Sequence, residues 1–416
     1  MNLLIKSATI VDPNSSFNQQ TADILIENGV ITKIGADLTA EAEVFDAQGK
    51  QVSPGFFDLN CTIGELGLET KEDLQTGTAA AAAGGFTGLA LMPNANPVHS
   101  KTEVEYLVNK AKGNLVNIYP LGTISQKREG KDLAEMYDMH LSGAKAFTDG
   151  NRPVQDAGLM ERALLYAQGF DGLVFSYPED TAIAGKAKMN EGETSTLLGM
   201  KGIPSLAEEL MIARDLYLAE YTGSPIHFST ISTKRSVDLI REAKAKGLRV
   251  TCDVAAHHLI LTDQALMGFD SQYKVKPPLR TQTDVDALIA GLKDDTIDAI
   301  VSQHTPHEVE FKDVEFEIAE YGTIALQTTL SNVLKAGLDL ASIVQKMAIN
   351  PRQILNIAVP QITEGQAADL VVVDKEASWE FTKQNNRSKS YNSPFIGTTL
   401  NGKVLLTCNN NQVFKS

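Results

Sequence analysis

Apolar and polar positions alternate through the first 53 residues in short runs: "NLLIKSATIVD", "ADILIENGVITKIG" and "EVFDAQGKQVSPG". A period of two is the spacing of strands with one buried face. Asn28-Gly29, inside the second run, is a two-residue hairpin signal. The other end of the chain repeats the pattern in "ADLVVVDKEASWEF" and "GTTLNGKVLLTCNNNQVF", with Asn401-Gly402 as a second hairpin turn. Residues 1–53 and 361–416 are therefore expected to join in one small β-sandwich built from both chain ends.

Between them, over residues 54–360, the pattern changes. Short apolar runs end in polar residues: "PGFFDLN", "TGLALMP", "NIYPLGT", "GAKAFTD", "GLVFSYP", "PIHFST", "RVTCDV" and "DAIVSQH". Helical stretches such as "EVEYLVNKAKG", "AGLMERALLYAQGF" and "SLAEELMIARDLYLAEYTG" separate them. Repeated strand–helix units imply parallel strands, and eight imply an α/β architecture of the (β/α)8 TIM-barrel type. The site of such a barrel lies at the C-terminal strand ends, where "DLNCT", "MPNAN", "FTDG", "SYPED", "HFST", "AAHH" and "SQHTPH" fall.

Composition narrows the function classes. With 416 residues the chain has ample material for a large core, and its net charge of −15 argues against nucleic acid or an anionic membrane as main partner. No apolar run reaches the ~18 residues of a membrane span. Cys61, Cys252 and Cys408 stand far apart without a CxxC pair, which fits a reducing cytoplasm rather than a disulfide framework.

Seven histidines are present, and five of them (His227, His257, His258, His304 and His307) fall at or just past predicted strand ends. Imidazoles clustered there bind metal or substrate, or serve as hydrogen-bonded rim residues.

The segments "PGFFDL", "KEDLQTGTAAAAAGGFT", "MPNANPV", "MNEGETSTLLGMKGIPSLAEE", "HFSTISTKRS", "HHLILTD", "PPLR", "IDAIVSQHTPH" and "SPFIGTTLNGKVLLT" run almost end to end and resemble, in the same order, the long-chain (class I) bacterial dihydroorotases of the amidohydrolase superfamily. The resemblance implies a metal-loaded barrel that interconverts carbamoyl aspartate and dihydroorotate. There a metal-bound hydroxide attacks and a carboxylate shuttles the proton.

Residue by residue, much of that machinery is replaced. The family's Asp-x-His-x-His reads Asp58, Asn60, Thr62, and its substrate-gripping arginine is Gly64. Tyr177 stands for a metal histidine, and Gln303 stands at the general-base position. Neutral amides and hydroxyls are poor ligands beside imidazole, and an amide is no base near neutral pH. His227 and Asp149 remain as metal-site remnants. Asn94, Lys276, His304 and His307 are the substrate-binding candidates, with Lys145 near a position that some relatives carboxylate.

A catalytic zinc needs three good protein ligands, so no metal is expected unless unrecognised ligands exist. Three readings follow. The favoured one is a non-catalytic dihydroorotase-like subunit that supports aspartate carbamoyltransferase. The others are an active or altered cyclic amidohydrolase and a sensor of a small anionic pyrimidine intermediate. A homo-oligomer is expected in each. The bland readings are packing for Trp379, a small filler for Cys61, and a helix cap for the Thr233 to Ser236 segment "TKRS" beside its possible use as an anion site.

Overall fold

The structure is a computed structural model that describes residues 1–95 and 97–416. Strands β1 (Leu3–Ile10), β2 (Thr21–Glu27), β3 (Val30–Gly35), β4 (Glu43–Asp46) and β5 (Gln51–Pro54) come first. They precede β6 (Phe56–Cys61), β7 (Phe86–Leu91), β8 (Asn117–Pro120) and β9 (Val174–Ser176). A small parallel ribbon, β10 (Met189–Asn190) with β11 (Gly202–Ile203), follows. Then come β12 (Ile226–Phe228), β13 (Val250–Ala255) and β14 (Ala299–Val301), and finally β15 (Leu370–Phe381), β16 (Thr398–Asn409) and β17 (Gln412–Lys415).

The strands of the two chain ends share one hydrogen-bonded path, β17-β16-β15-β5-β1-β2-β3, with β4 paired to β1. Ile31 and Ile34 of β3 and Leu406 and Cys408 of β16 lie far apart on that path, yet all pack into one apolar cluster with Leu3, Ile5 and Val52. The sheet is thus folded over on itself, and one path makes both layers of a sandwich. Alternation along β15 divides its side chains: Leu370 and Val372 enter this cluster, while Val371 and Val373 enter the larger core. That shared strand fixes the sandwich to the rest of the molecule.

In the middle of the chain, β6-β7-β8 and β14-β13-β12-β9 form two parallel sheets. Single parallel bridges join them. Phe147 pairs with Gly122 on one side and Val174 on the other, and Cys61 pairs with His304. Eight parallel segments therefore close a barrel-like ring. The segment expected as a strand at "GAKAFTD" contributes only Phe147 to the ring. Phe57, Leu59, Ala90, Leu121, Phe175, Ala299 and Val301 fill the interior.

The surrounding helices begin at side-chain caps that the sequence supplies. Asp73 caps Leu74–Ala83, Ser100 caps Lys101–Lys110 and Asp156 caps Ala157–Gln168. None of the described helices is long and apolar enough to cross a membrane.

Candidate functional site

A cavity of about 490 Å³ opens at the C-terminal ends of the ring strands. Asn60 and Thr62 reach it from the end of β6, Met92 and Asn94 from β7, and Arg128 from the loop after β8. Gly150 and Arg152 follow Phe147; Tyr177 follows β9, Ser229 follows β12, and Gln303, Thr305 and His307 follow β14. A register shift between Asp58 and Cys61 bulges β6 at Asn60 and aims its amide into the mouth.

Beneath the mouth lies a continuous polar chain. Asn60 Nδ2 donates to Ser229 Oγ at 3.3 Å and Thr230 Oγ1 at 3.2 Å, and Thr230 Oγ1 donates to Asp253 Oδ1 at 2.9 Å. Asp253 Oδ2 accepts from His227 Nε2 at 3.0 Å, which leaves His227 Nδ1 to accept the Thr251 hydroxyl at 2.8 Å. His227 and Asp253 are fully buried, and Phe175 lies against the imidazole with ring centroids 4.2 Å apart. Both imidazole nitrogens are therefore committed.

The metal that the family resemblance implies does not fit these donors. Thr62 Oγ1 accepts from Asn94 Nδ2 at 2.9 Å, and Gln303 Nε2 donates to the Lys276 carbonyl at 2.9 Å. Burial pushes the Tyr177 hydroxyl pKa well up, and Glu179 and Glu208 push it the same way, so it stays a neutral phenol. Among the described residues no three His, Cys, Asp or Glu side chains converge on a shared point. What converges is amide and hydroxyl, which suit neither a borderline nor a hard dication.

Asp149 is turned away from the mouth. Its Oδ1 accepts from the Ile124 and Ser125 N–H groups at 2.9 Å each, and its Oδ2 accepts from the Ser125 hydroxyl. The carboxylate organises a loop instead of facing a ligand. Gly150, next in sequence, has φ +60°, and a Cβ there would lie 2.0 Å from Asn94 Oδ1. A larger residue there would strain the backbone and displace the Asn94 amide.

Gly64 is equally constrained, because a Cβ there would meet the Leu68 carbonyl oxygen at 1.9 Å. The turn that brings Leu68 N–H onto the Gly64 carbonyl at 2.7 Å fills the space a side chain would need.

The other sequence candidates divide. Asn94, Lys276 and His307 line the cavity. Lys276 is paired with Glu179 at 2.7 Å. His307 Nε2 donates to the Tyr321 carbonyl at 2.9 Å, and its Nδ1 faces Lys71 Nζ at 3.3 Å. Burial, with Lys71 and Lys312 nearby, lowers its pKa to about 4.

His304, expected with the substrate-binding group, points elsewhere. Its Nδ1 accepts from Ala325 N–H at 3.1 Å and its Nε2 stands 3.4 Å from Glu72, both away from the mouth. Alternation explains it, since the bridge to Cys61 turns residue 304 outward while Gln303 turns in. Lys145 is solvent-exposed, so it is not a bridging ligand inside the ring. At "TKRS", Thr233 caps the helix Lys234–Ala245, and Glu208 already accepts from the Ser232 and Thr233 N–H groups, filling the position an anion would take. Trp379 donates to the Gly402 carbonyl at 2.9 Å, and Cys61 is buried with its thiol pKa raised by burial.

Sequence reasoning missed Arg128 and Asp253. An aspartate inside the apolar run "RVTCDV" was a readable signal of a buried partner. Arg128, one cation in the loop "SQKREGK", carried none.

Residues 184–410 match the amidohydrolase family, and residues 49–236 match a family described as dihydro-orotase-like. The fold is that of solved hydantoinases and dihydropyrimidinases. The L-hydantoinase of Arthrobacter aurescens superposes with a TM-score of 0.85 at 24% identity, over 99% of this chain and 95% of that one. A dihydropyrimidinase from Brevibacillus agri gives 0.82 at 21%, over 99% and 95%.

Among curated relatives, a dihydroorotase of Geotalea daltonii is 46% identical across 98% of this chain and 97% of its own length. One of Acetivibrio thermocellus is 44% identical across 99% and 98%. The chain belongs to the dihydroorotase-like branch of the amidohydrolase family.

Proposed function

We propose that this chain is a non-hydrolytic dihydroorotase-like protein, which lacks the metal centre and acts in pyrimidine biosynthesis as a supporting subunit of aspartate carbamoyltransferase. The observation that carries the reading is the commitment of His227 to Asp253 and Thr251 under a floor of Asn60, Thr62 and Gln303. With neither a metal-bound hydroxide nor a base, the nucleophile and the proton acceptor of cyclic-amide chemistry are both missing.

Support for a partner comes from the helix Leu206–Thr222, which leaves Leu206, Leu210, Tyr217 and Tyr221 exposed, the two tyrosines at 73% and 78%. Large apolar side chains grouped on one element favour a protein interface, and a second copy of the chain is the homo-oligomeric alternative. Three buried free cysteines suit a reducing cytoplasm.

The test is turnover of carbamoyl aspartate and dihydroorotate by purified protein with zinc added, together with its metal content. The expectation is no turnover above background and substoichiometric zinc. Zinc near one per chain with turnover sinks the proposal. The open cavity favours a second reading, a sensor, which predicts saturable binding of a pyrimidine intermediate without conversion.

A further inference from the structure

Arg128 is the feature of the pocket that the reading above leaves unused. It is 6% exposed, and among the described residues no carboxylate lies within ion-pairing distance of it. The chain's other deeply buried guanidinium groups are different: Arg280 faces Glu208 at 3.6 Å and Arg352 faces Asp369 at 3.2 Å. The Asp149 carboxylate acts on Arg128 only from beyond ion-pair contact, and a buried cation held that way is costly, because the solvation it loses is only partly replaced.

The neighbours of Arg128 are neutral oxygens. Nε donates to the Asp149 carbonyl at 2.9 Å, and Nη1 donates to the Pro93 and Asn94 carbonyls at 2.8 and 3.1 Å. Nη2 donates to Asn151 Oδ1, and Asn151 is itself exposed. A guanidinium has five N–H groups. Four are used, and the fifth is on Nη2, on the side chain that lines the cavity.

The backbone is bent to hold this arrangement. Lys127 and Arg128 have φ of 50° and 58°, a left-handed pair of non-glycine residues that is unfavourable for L-amino acids. The Asp149 carboxylate and Ser125, whose hydroxyl accepts from Gly130 N–H at 2.9 Å, pin the loop in this shape. Lys71 and Arg152 add positive charge to the lining, Glu320 offsets one of these charges, and Lys276 is neutralised by Glu179. This cationic mouth belongs to a chain of net charge −15.

We propose that Arg128 is the anchor of an anion subsite and that its ligand is a small organic carboxylate, seated on Nη2 with the remaining amide N–H of Asn94 alongside. The inference rests on the reading that no metal holds this site. A carboxylate attached to an amide-bearing or apolar body suits a lining that mixes amides with Met92 and Leu68 better than a bare phosphate does.

The experiment is isothermal titration of the full-length protein, chelator-treated, with L-dihydroorotate, succinate and inorganic phosphate. Wild type and Arg128→Gln are compared, and circular dichroism checks folding. The expected result is one-to-one binding of a carboxylate probe without metal, weakened about tenfold or more in Arg128→Gln, the scale of a lost charge-assisted hydrogen bond. If that variant does not fold, Arg128→Lys carries the test, with at least about threefold weakening expected from loss of the fork.

Unchanged affinity in the folded variant overturns the assignment of Arg128. No carboxylate binding, or tighter binding of phosphate, overturns the ligand class. Binding that appears only with zinc, or conversion of the dihydroorotate, instead overturns the non-hydrolytic reading.

Discussion

At His307 the physical chemistry of one side chain is open to measurement. Its ordinary pKa of 6.5 falls to about 4 in the fold, chiefly through burial and then through Lys71. Between those values the unfolded chain takes up a proton that the folded chain refuses. Above pH 6.5 the group costs nothing, and stability is lost as the pH falls from 6.5 towards 4. Such a shift is worth up to about 3 kcal/mol. His258, also lowered to about 4 by burial, acts in the same direction, whereas Asp58, raised to about 7 by burial, acts in the opposite one. Comparing wild type with His307→Gln in urea at pH 7 and pH 4.5 cancels the shared groups. The variant is expected to lose less stability on acidification, and equal losses would show that His307 ionises freely in the fold.

At the scale of elements, two loops decide the shape of the mouth. The Gly64–Leu68 turn leaves no room for a Cβ, so Gly64→Ala is expected to cost about 1–3 kcal/mol by overpacking. A chemical denaturation midpoint equal to wild type would show that the turn yields. The loop after β8 hangs on the Asp149 carboxylate, and Asp149→Ala strands two N–H groups and a hydroxyl. It is expected to destabilise by about 2–4 kcal/mol and to weaken carboxylate binding together with Arg128→Gln. In the double variant the two binding losses are expected not to add, because both act through one guanidinium. Additive losses would separate the loop from the arginine.

For the whole molecule, the prediction concerns restoration and assembly. Asn60→His with Thr62→His brings back two imidazoles but leaves His227 held by Asp253 and Gln303 in place of a base. The double variant is expected to show no dihydroorotate turnover with zinc present, and any turnover would mean that the buried network rearranges around an ion. On the outer surface, Tyr217→Lys with Tyr221→Lys is expected to weaken the proposed complex with aspartate carbamoyltransferase at least about tenfold by light scattering, as loss of aromatic anchors does. An unaffected complex would move the interface elsewhere.

Much of this was legible in the chain itself, for reasons that are local. Period-two alternation at both ends and strand–helix repeats between them follow from which faces are buried, so the shared sheet and the run of parallel strands could be read directly. Asn60, Thr62, Tyr177 and Gln303 could be placed at the mouth because each stands at or just past the end of a strand, and all four line the cavity. What the tertiary structure decided was direction and company. His304 turns outward by strand alternation. Asp149 turns back onto its loop. His227 meets Asp253 across neighbouring strands, and Arg128 reaches the cavity with no carboxylate of the described residues in ion-pair contact. Burial and partnership arise from segments far apart in sequence, so they exist only once the ring has closed.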